Sequence, residues 1–163
     1  AYFEYLNIDD QAISWLNEFE NLIISRTFSK AYGLAGLRVG YSICSTLIAD
    51  YINRVREPFN VNHAAQIAAT AALSDDEYLS DSVKMNSDGY IQLVKGFEAF
   101  RLNYIPSFAN FIAVEFNDAL STYNNLLKEG VIVRPVEMKN YLRISIGTPN
   151  ENEHLLEALG KVL

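Results

Sequence analysis

Leu79, Val83, Asn86, Tyr90, Leu93, Phe97 and Phe100 recur at intervals of 4, 3, 4, 3, 4 and 3 residues. That spacing draws one seam, apolar except at Asn86, down one side of a helix. Ser74 and Glu77 stand in an S-x-x-E pattern just before it, which predicts a capping box and a helix from Asp75 to about Asn103. A helix of that length, roughly 40 Å, bridges two lobes.

The flanking patterns differ. Upstream, Ile13, Leu16 and Phe19 predict a helix over Asp10–Phe19. Short apolar runs predict strands at Asn21–Thr27 and Arg38–Cys44. Leu47, Ile48, Tyr51, Ile52 and Val55 form one side of an amphipathic helix that Pro58 stops. An alanine-rich helix runs from Asn62 to Leu73, its small side chains suited to close packing. Downstream, "IPSFAN" (Ile105–Asn110) reads as a break, with Asn110 satisfying backbone groups there. A βαββα pattern follows: strand Phe111–Phe116, helix Asp118–Glu129 ended by Gly130, strands Val131–Arg134 and Leu142–Ile146, and a last helix with Thr148 as N-cap, Pro149 at N1 and Glu151 closing a capping box. The lobe boundary falls near Tyr104.

Half of the 163 residues are hydrophobic and a fifth are charged, a globular balance. The net charge of -7 argues against a general nucleic-acid or anionic-membrane surface, though not against one small anion at a local site. One cysteine, Cys44, makes no internal disulfide and fits a reducing compartment. No apolar run approaches a membrane span and no signal-peptide pattern opens the chain. His63 and His154 have no partner at ligand spacing, so no metal site is expected.

Chemistry concentrates in "RTFSKAYGLAGLRVGY", Arg26–Tyr41. A lysine is ordinarily a solvated surface charge. Lys30, however, lies just past a buried strand, with Thr27 and Ser29 beside it, glycines after it and Arg38 eight residues on. A phosphate contact is one alternative; an amine that forms a Schiff base with a carbonyl is the better fit. Amine, hydroxyls and a guanidinium that grips anions through a planar fork suit a phosphate-bearing aldehyde, a description that matches pyridoxal phosphate. The glycines do not match G-x-G-x-x-G, and no G-K-[ST] occurs.

"SRTFSKAYGLAGLRVGY" resembles the cofactor-lysine segment of class I/II aminotransferases, closest to the histidinol-phosphate aminotransferase branch. "PFNVNHAAQIAATAAL", "PSFANFIAVEF", "GVIVRP" and "YLRISIGTPNENEHLLEAL" are similar to the same family, in family order across essentially the whole chain. The resemblance implies an α/β fold: the C-terminal part of a fold type I pyridoxal-phosphate-dependent transferase. Residues 1–104 would be a remnant of the large-domain sheet with the long interdomain helix, and 105–163 the small α+β domain. It implies that Lys30 carries the cofactor, that Arg38 binds its phosphate with Thr27 and Ser29, that Tyr2 donates to its phenolic oxygen, that Arg143 binds a substrate acid group and that Arg134 lines the substrate side. The implied reaction moves an amino group from a small-molecule donor to a 2-oxo acid in a cytoplasmic homodimer, with no nucleic acid or membrane partner. Histidinol phosphate and 2-oxoglutarate are the expected substrates; an aromatic aminotransferase, a phosphothreonine decarboxylase or a non-catalytic packing fragment are the rivals.

Two departures qualify the resemblance. The family usually reads Asp-Glu-Ala-Tyr where this sequence opens with Ala1-Tyr2, so the aspartate that pairs with the pyridinium nitrogen is not in the chain. The 163 residues alone are therefore expected to be inactive. The segment between Arg134 and Arg143 is also shorter than usual, which leaves the substrate open. Leu142, Ile144 and Ile146 alternate with Arg143 and Ser145, so Arg143 should face away from the small-lobe core.

Overall fold

A computed structural model of the chain describes residues 1–6 and 11–163. Its longest element is the helix α4, Asp76–Ala99. Along it Gly89, Leu93 and Phe97 are buried, and Leu79, Val83, Asn86, Tyr90 and Phe100 are half-buried, the seam the spacing predicts. The ends differ from expectation. Asp75, not Ser74, caps the helix, its carboxylate accepting the Tyr78 N–H at 3.0 Å. The helix stops four residues before Asn103. Arg101 adopts φ +56°, its N–H donates to Glu98 O and the Leu102 N–H donates to Phe97 O at 2.9 Å. This is a Schellman ending with arginine in the left-handed position, so no glycine announces it.

The Cα packing forms two units, Ala1–Ser82 and Val83–Leu163, dividing within α4. In the first, α1 covers only Gln11–Ser14 and a 3₁₀ turn follows at Trp15–Asn17. The predicted helix is thus shorter, its first residue Asp10 lies outside the described residues, and Ile13 and Phe19 are exposed. β1 (Ile23–Thr27) and β2 (Gly40–Cys44) pair antiparallel, with Thr27 opposite Gly40. β2 starts two residues after Arg38, which lies outside the ladder at φ +54°. Only Ile24 of β1 is buried. The helices α2 (Thr46–Val55) and α3 (His63–Ala72) are capped by Ser45 and Asn62. α2 is amphipathic as read, but Leu47, Tyr51, Ile52 and Val55 are exposed. α3 packs through its small residues: Ala65 and Ala69 join Phe28 and Val39 in a core under the β1–β2 loop.

The second unit holds β3 (Tyr104–Ile105), β4 (Phe111–Glu115), α5 (Ala119–Lys128), β5 (Arg134–Pro135), β6 (Tyr141–Ser145) and α6 (Pro149–Val162). The sheet is antiparallel in the order β3-β4-β6-β5. Ile112, Val114, Leu142 and Ile144 point to one face, where Leu93, Phe97, Leu126, Leu155 and Leu159 complete the core. Gly130 takes φ +78° past α5, and the Val131 N–H reaches back to Leu126 O at 2.9 Å, the C′ role read from the sequence. The capping box of Thr148 and Glu151 forms. Two expectations change. The strand predicted over Val131–Arg134 is laddered only at Arg134–Pro135, although Val131 and Val133 are buried. The Asn110 Oδ1 accepts no backbone N–H among the described residues: it is buried without a partner, and Ser107 Oγ accepts the Ala109 N–H.

Candidate active site

In the first unit the loop from Phe28 to Val39 is closed by its own backbone. The Phe28 N–H donates to Val39 O (3.2 Å) and the Leu34 N–H to Phe28 O (2.9 Å). Phe28 and Ala31 are buried on either side of the half-buried Ser29 and Lys30. Lys30 begins a tight turn in which the Gly33 N–H donates to its carbonyl at 2.9 Å. Gly33 takes φ +71° there, a conformation that side chains disfavour. The lysine's backbone is thus held by buried neighbours. Lys30 Nζ stands 5.5 Å from the Tyr2 ring centroid, and Arg26 lies over Phe3 at 4.3 Å.

Arg38 follows the 3₁₀ turn Ala35–Leu37. Its Nη1 donates to Ala35 O at 2.8 Å and to Ser29 Oγ at 3.3 Å. Thr27 Oγ1 accepts the Ser29 N–H at 3.1 Å. Of the five residues predicted on this side, hydrogen bonds join Thr27, Ser29 and Arg38, and a ring contact joins Lys30 to Tyr2; Ser29 and Lys30 are neighbours in the chain. The five assemble one amine, two aliphatic hydroxyls, one phenol and one guanidinium. Such a set can bind a phosphorylated aldehyde: the guanidinium and hydroxyls match phosphate oxygens, and the amine is the nucleophile.

In the second unit Arg134 and Arg143 are directly opposed across β5 and β6, with Ala113 opposite Arg143 on β4. Leu142 and Ile144 are buried on the core face, so Arg143 projects from the other. Its guanidinium lies over the Phe111 ring at 3.9 Å, a cation–π contact that leaves the planar fork in place. Neither arginine forms an ion pair among the described residues. Like charges opposite one another on a sheet are unfavourable, and an anion bound between them removes that cost. The ring of Phe111 is a support that charge patterns alone did not reveal; the diagonal cross-strand neighbours of an arginine are where one would look. Among the described residues there is no cluster of three or more metal-ligating side chains and no helix long and apolar enough to cross a membrane.

The fold occurs in known proteins. A family model described as aminotransferase class I and II matches residues 1–159, and the chain belongs to that family. It is 53% identical over 168 residues to the histidinol-phosphate aminotransferase of Methylobacillus flagellatus and 54% identical over 169 residues to histidinol-phosphate aminotransferase 2 of Pseudomonas aeruginosa, covering 100% of this chain and 46% of each relative. The chain therefore spans about half the length of the curated relatives it matches. Among solved structures, histidinol-phosphate aminotransferase from Sinorhizobium meliloti in complex with pyridoxal-5'-phosphate superposes with a TM-score of 0.88 at 31% identity, over 99% of this chain and 47% of that one. L-threonine-O-3-phosphate decarboxylase from Porphyromonas gingivalis shares the fold at a TM-score of 0.82 and 21% identity, over 98% of this chain and 50% of that one. The architecture is that of fold type I transferases.

Proposed function

We propose that the chain is the C-terminal part of a pyridoxal-5'-phosphate-dependent aminotransferase that exchanges an amino group between histidinol phosphate and 2-oxoglutarate. Residues 1–104 are read as the end of the large cofactor domain and 105–163 as the small domain. The whole enzyme is read as a cytoplasmic homodimer.

The observation that carries the reading is the hydrogen-bonded set Thr27, Ser29 and Arg38, with Lys30 next to Ser29 in the chain, whose chemistry fits an anionic aldehyde. The cofactor, when bound, supplies an electron sink for the carbanion at the substrate Cα. Lys30 would hold it covalently through Nζ and, once released, would move the proton at the substrate Cα as general acid and base. Arg38 and the hydroxyls of Ser29 and Thr27 would hold its phosphate. Tyr2, whose ring lies near Nζ, would donate a hydrogen bond from its hydroxyl to the cofactor's phenolic oxygen. Arg143, held over Phe111, binds a carboxylate or phosphate of the substrate in a bidentate way. Arg134 opposite it adds the second charge that a phosphate dianion calls for. That paired charge, together with identities of about half to histidinol-phosphate aminotransferases, favours a phosphate ester over a purely aromatic substrate.

The test is borohydride reduction of the whole cofactor-loaded enzyme followed by peptide mapping, alongside half-reactions with each substrate. A label on Lys30, lost in Lys30→Ala, and amino transfer that requires 2-oxoglutarate are expected. Amine release without an acceptor would instead indicate decarboxylation.

A further inference from the structure

α4 enters the lysine loop from outside. Asp75 caps it and so sets the direction of its first turn. From that turn Tyr78 reaches Gly33: a Cβ built on Gly33 would overlap the Tyr78 hydroxyl and stand 3.3 Å from Cζ. Gly33 is the residue whose N–H closes the turn onto Lys30 O. One turn further along the same helix face, Ser82 lies close enough to Tyr5 to offset part of the rise that burial gives the Tyr5 hydroxyl pKa. Tyr5 N–H in turn donates to Tyr2 O at 3.2 Å, and the Tyr2 ring faces Lys30 Nζ. Asp76, on the same turn, lies close enough to Tyr32 to add to the rise of its hydroxyl pKa, after burial, Glu4 and Tyr41. Two successive turns of α4 thus touch both segments that meet at the lysine.

We infer that Tyr78 is a positioning residue for Lys30: its hydroxyl end presses on Gly33, holds the Lys30–Gly33 turn closed and so fixes the backbone from which the amine projects. This rests on the reading of Lys30 as the cofactor anchor. The physical reason is that the turn has one internal hydrogen bond and a glycine in the left-handed region. Glycine has the largest conformational freedom to lose, so a turn built on it opens readily unless something outside blocks it. The rest of the loop is braced by its buried neighbours Phe28 and Ala31; at Gly33 the bracing side chain is Tyr78. A small change in the lysine's direction alters its proton transfer without altering how substrate binds, because the substrate-side arginines lie elsewhere in the chain.

The test uses the whole protein with Tyr78→Ala and, in case that variant folds poorly, Tyr78→Phe. In the cofactor-free protein, hydrogen exchange at the Gly33 and Leu34 amides reports turn opening. We expect it to rise about tenfold in Tyr78→Ala and by less in Tyr78→Phe, with unchanged exchange in α3. In the loaded enzyme the pH midpoint of the cofactor absorbance should move by about half a unit or more, and kcat should fall about tenfold with KM within about twofold. Exchange within about twofold of wild type overturns the inference. Faster exchange with an unmoved midpoint also overturns it, because Tyr78 would then be a packing residue only. A borohydride label mapping to a residue other than Lys30 would instead sink the underlying reading, whatever the exchange at Gly33.

Discussion

Gly89 and Gly96 lie on the same helix, seven residues apart, and alanine at the two positions should have opposite consequences. In a helix interior alanine is favoured over glycine by about 1 kcal/mol, so both changes begin with the same gain. At Gly89 the new methyl meets unyielding neighbours. It would stand 2.6 Å from Ile146 Cγ2, 2.9 Å from Asn152 Nδ2 and 3.2 Å from the Gly147 carbonyl. Ile146 is β-branched and stiff. Asn152 is buried and held by three hydrogen bonds: its Oδ1 accepts the Gly147 N–H at 2.9 Å, and its Nδ2 donates to Gly147 O and to Gln92 Oε1, each at 3.1 Å. Overpacking of this kind costs roughly 1–3 kcal/mol, and here backbone must move as well, so the upper part of that range applies. The balance is a net loss of about 1–2 kcal/mol. At Gly96 the three atoms nearest the methyl all belong to Leu156, Cδ1 at 2.8 Å, Cγ at 3.1 Å and the other methyl. Leu156 is half-buried at the core's edge and can change rotamer, so Gly96→Ala should be within about 0.5 kcal/mol of wild type. Urea unfolding followed by circular dichroism, with equal slopes in the three proteins, measures the difference. A Gly89→Ala protein as stable as wild type, or equal losses at both sites, would refute the distinction between a fixed and a movable neighbour.

Two further outcomes follow from the second unit. Arg143→Ala in the whole enzyme should reduce kcat/KM by about 30- to 1000-fold, from the roughly 2–4 kcal/mol of a lost charge-assisted bidentate contact, and leave cofactor affinity unchanged by titration; Arg143→Lys should not restore activity, since an ammonium lacks the planar fork, and a restored rate would remove the bidentate role. The Glu151 carboxyl is held below its usual pKa by the Thr148 N–H and then by the Thr148 hydroxyl, so its contribution to stability is present above the ordinary glutamate pKa and is lost as pH falls through the lower folded value. Glu151→Ala should therefore melt below wild type near neutral pH, with the gap closing in acid; a pH-independent gap in thermal melts would assign the effect to something other than the charge.

The seam of α4, the cap of α6 and the Gly130 ending were legible in the sequence because each depends on neighbours within a turn or two: spacing, a side-chain oxygen, a missing Cβ. The cluster around Lys30 was legible for the same reason, since Thr27, Ser29, Lys30 and Arg38 lie within twelve residues. What failed to show was whatever depends on distant chain. Arg101 ends α4 in a conformation that a glycine would have advertised, because Leu102 and Phe97 join one core. The β3 pair at Tyr104–Ile105 exists because β4 offers it an edge. Two arginines nine residues apart in sequence become opposite neighbours only through the register of β5 on β6, and Phe111 finds Arg143 across the sheet. Tyr78 meets Gly33 from 45 residues away. Local chemistry chose the elements and grouped the candidate site residues around Lys30. Which side chains brace them was decided by tertiary packing, because contacts between remote segments depend on the path of the whole chain, and no short window of sequence records that path.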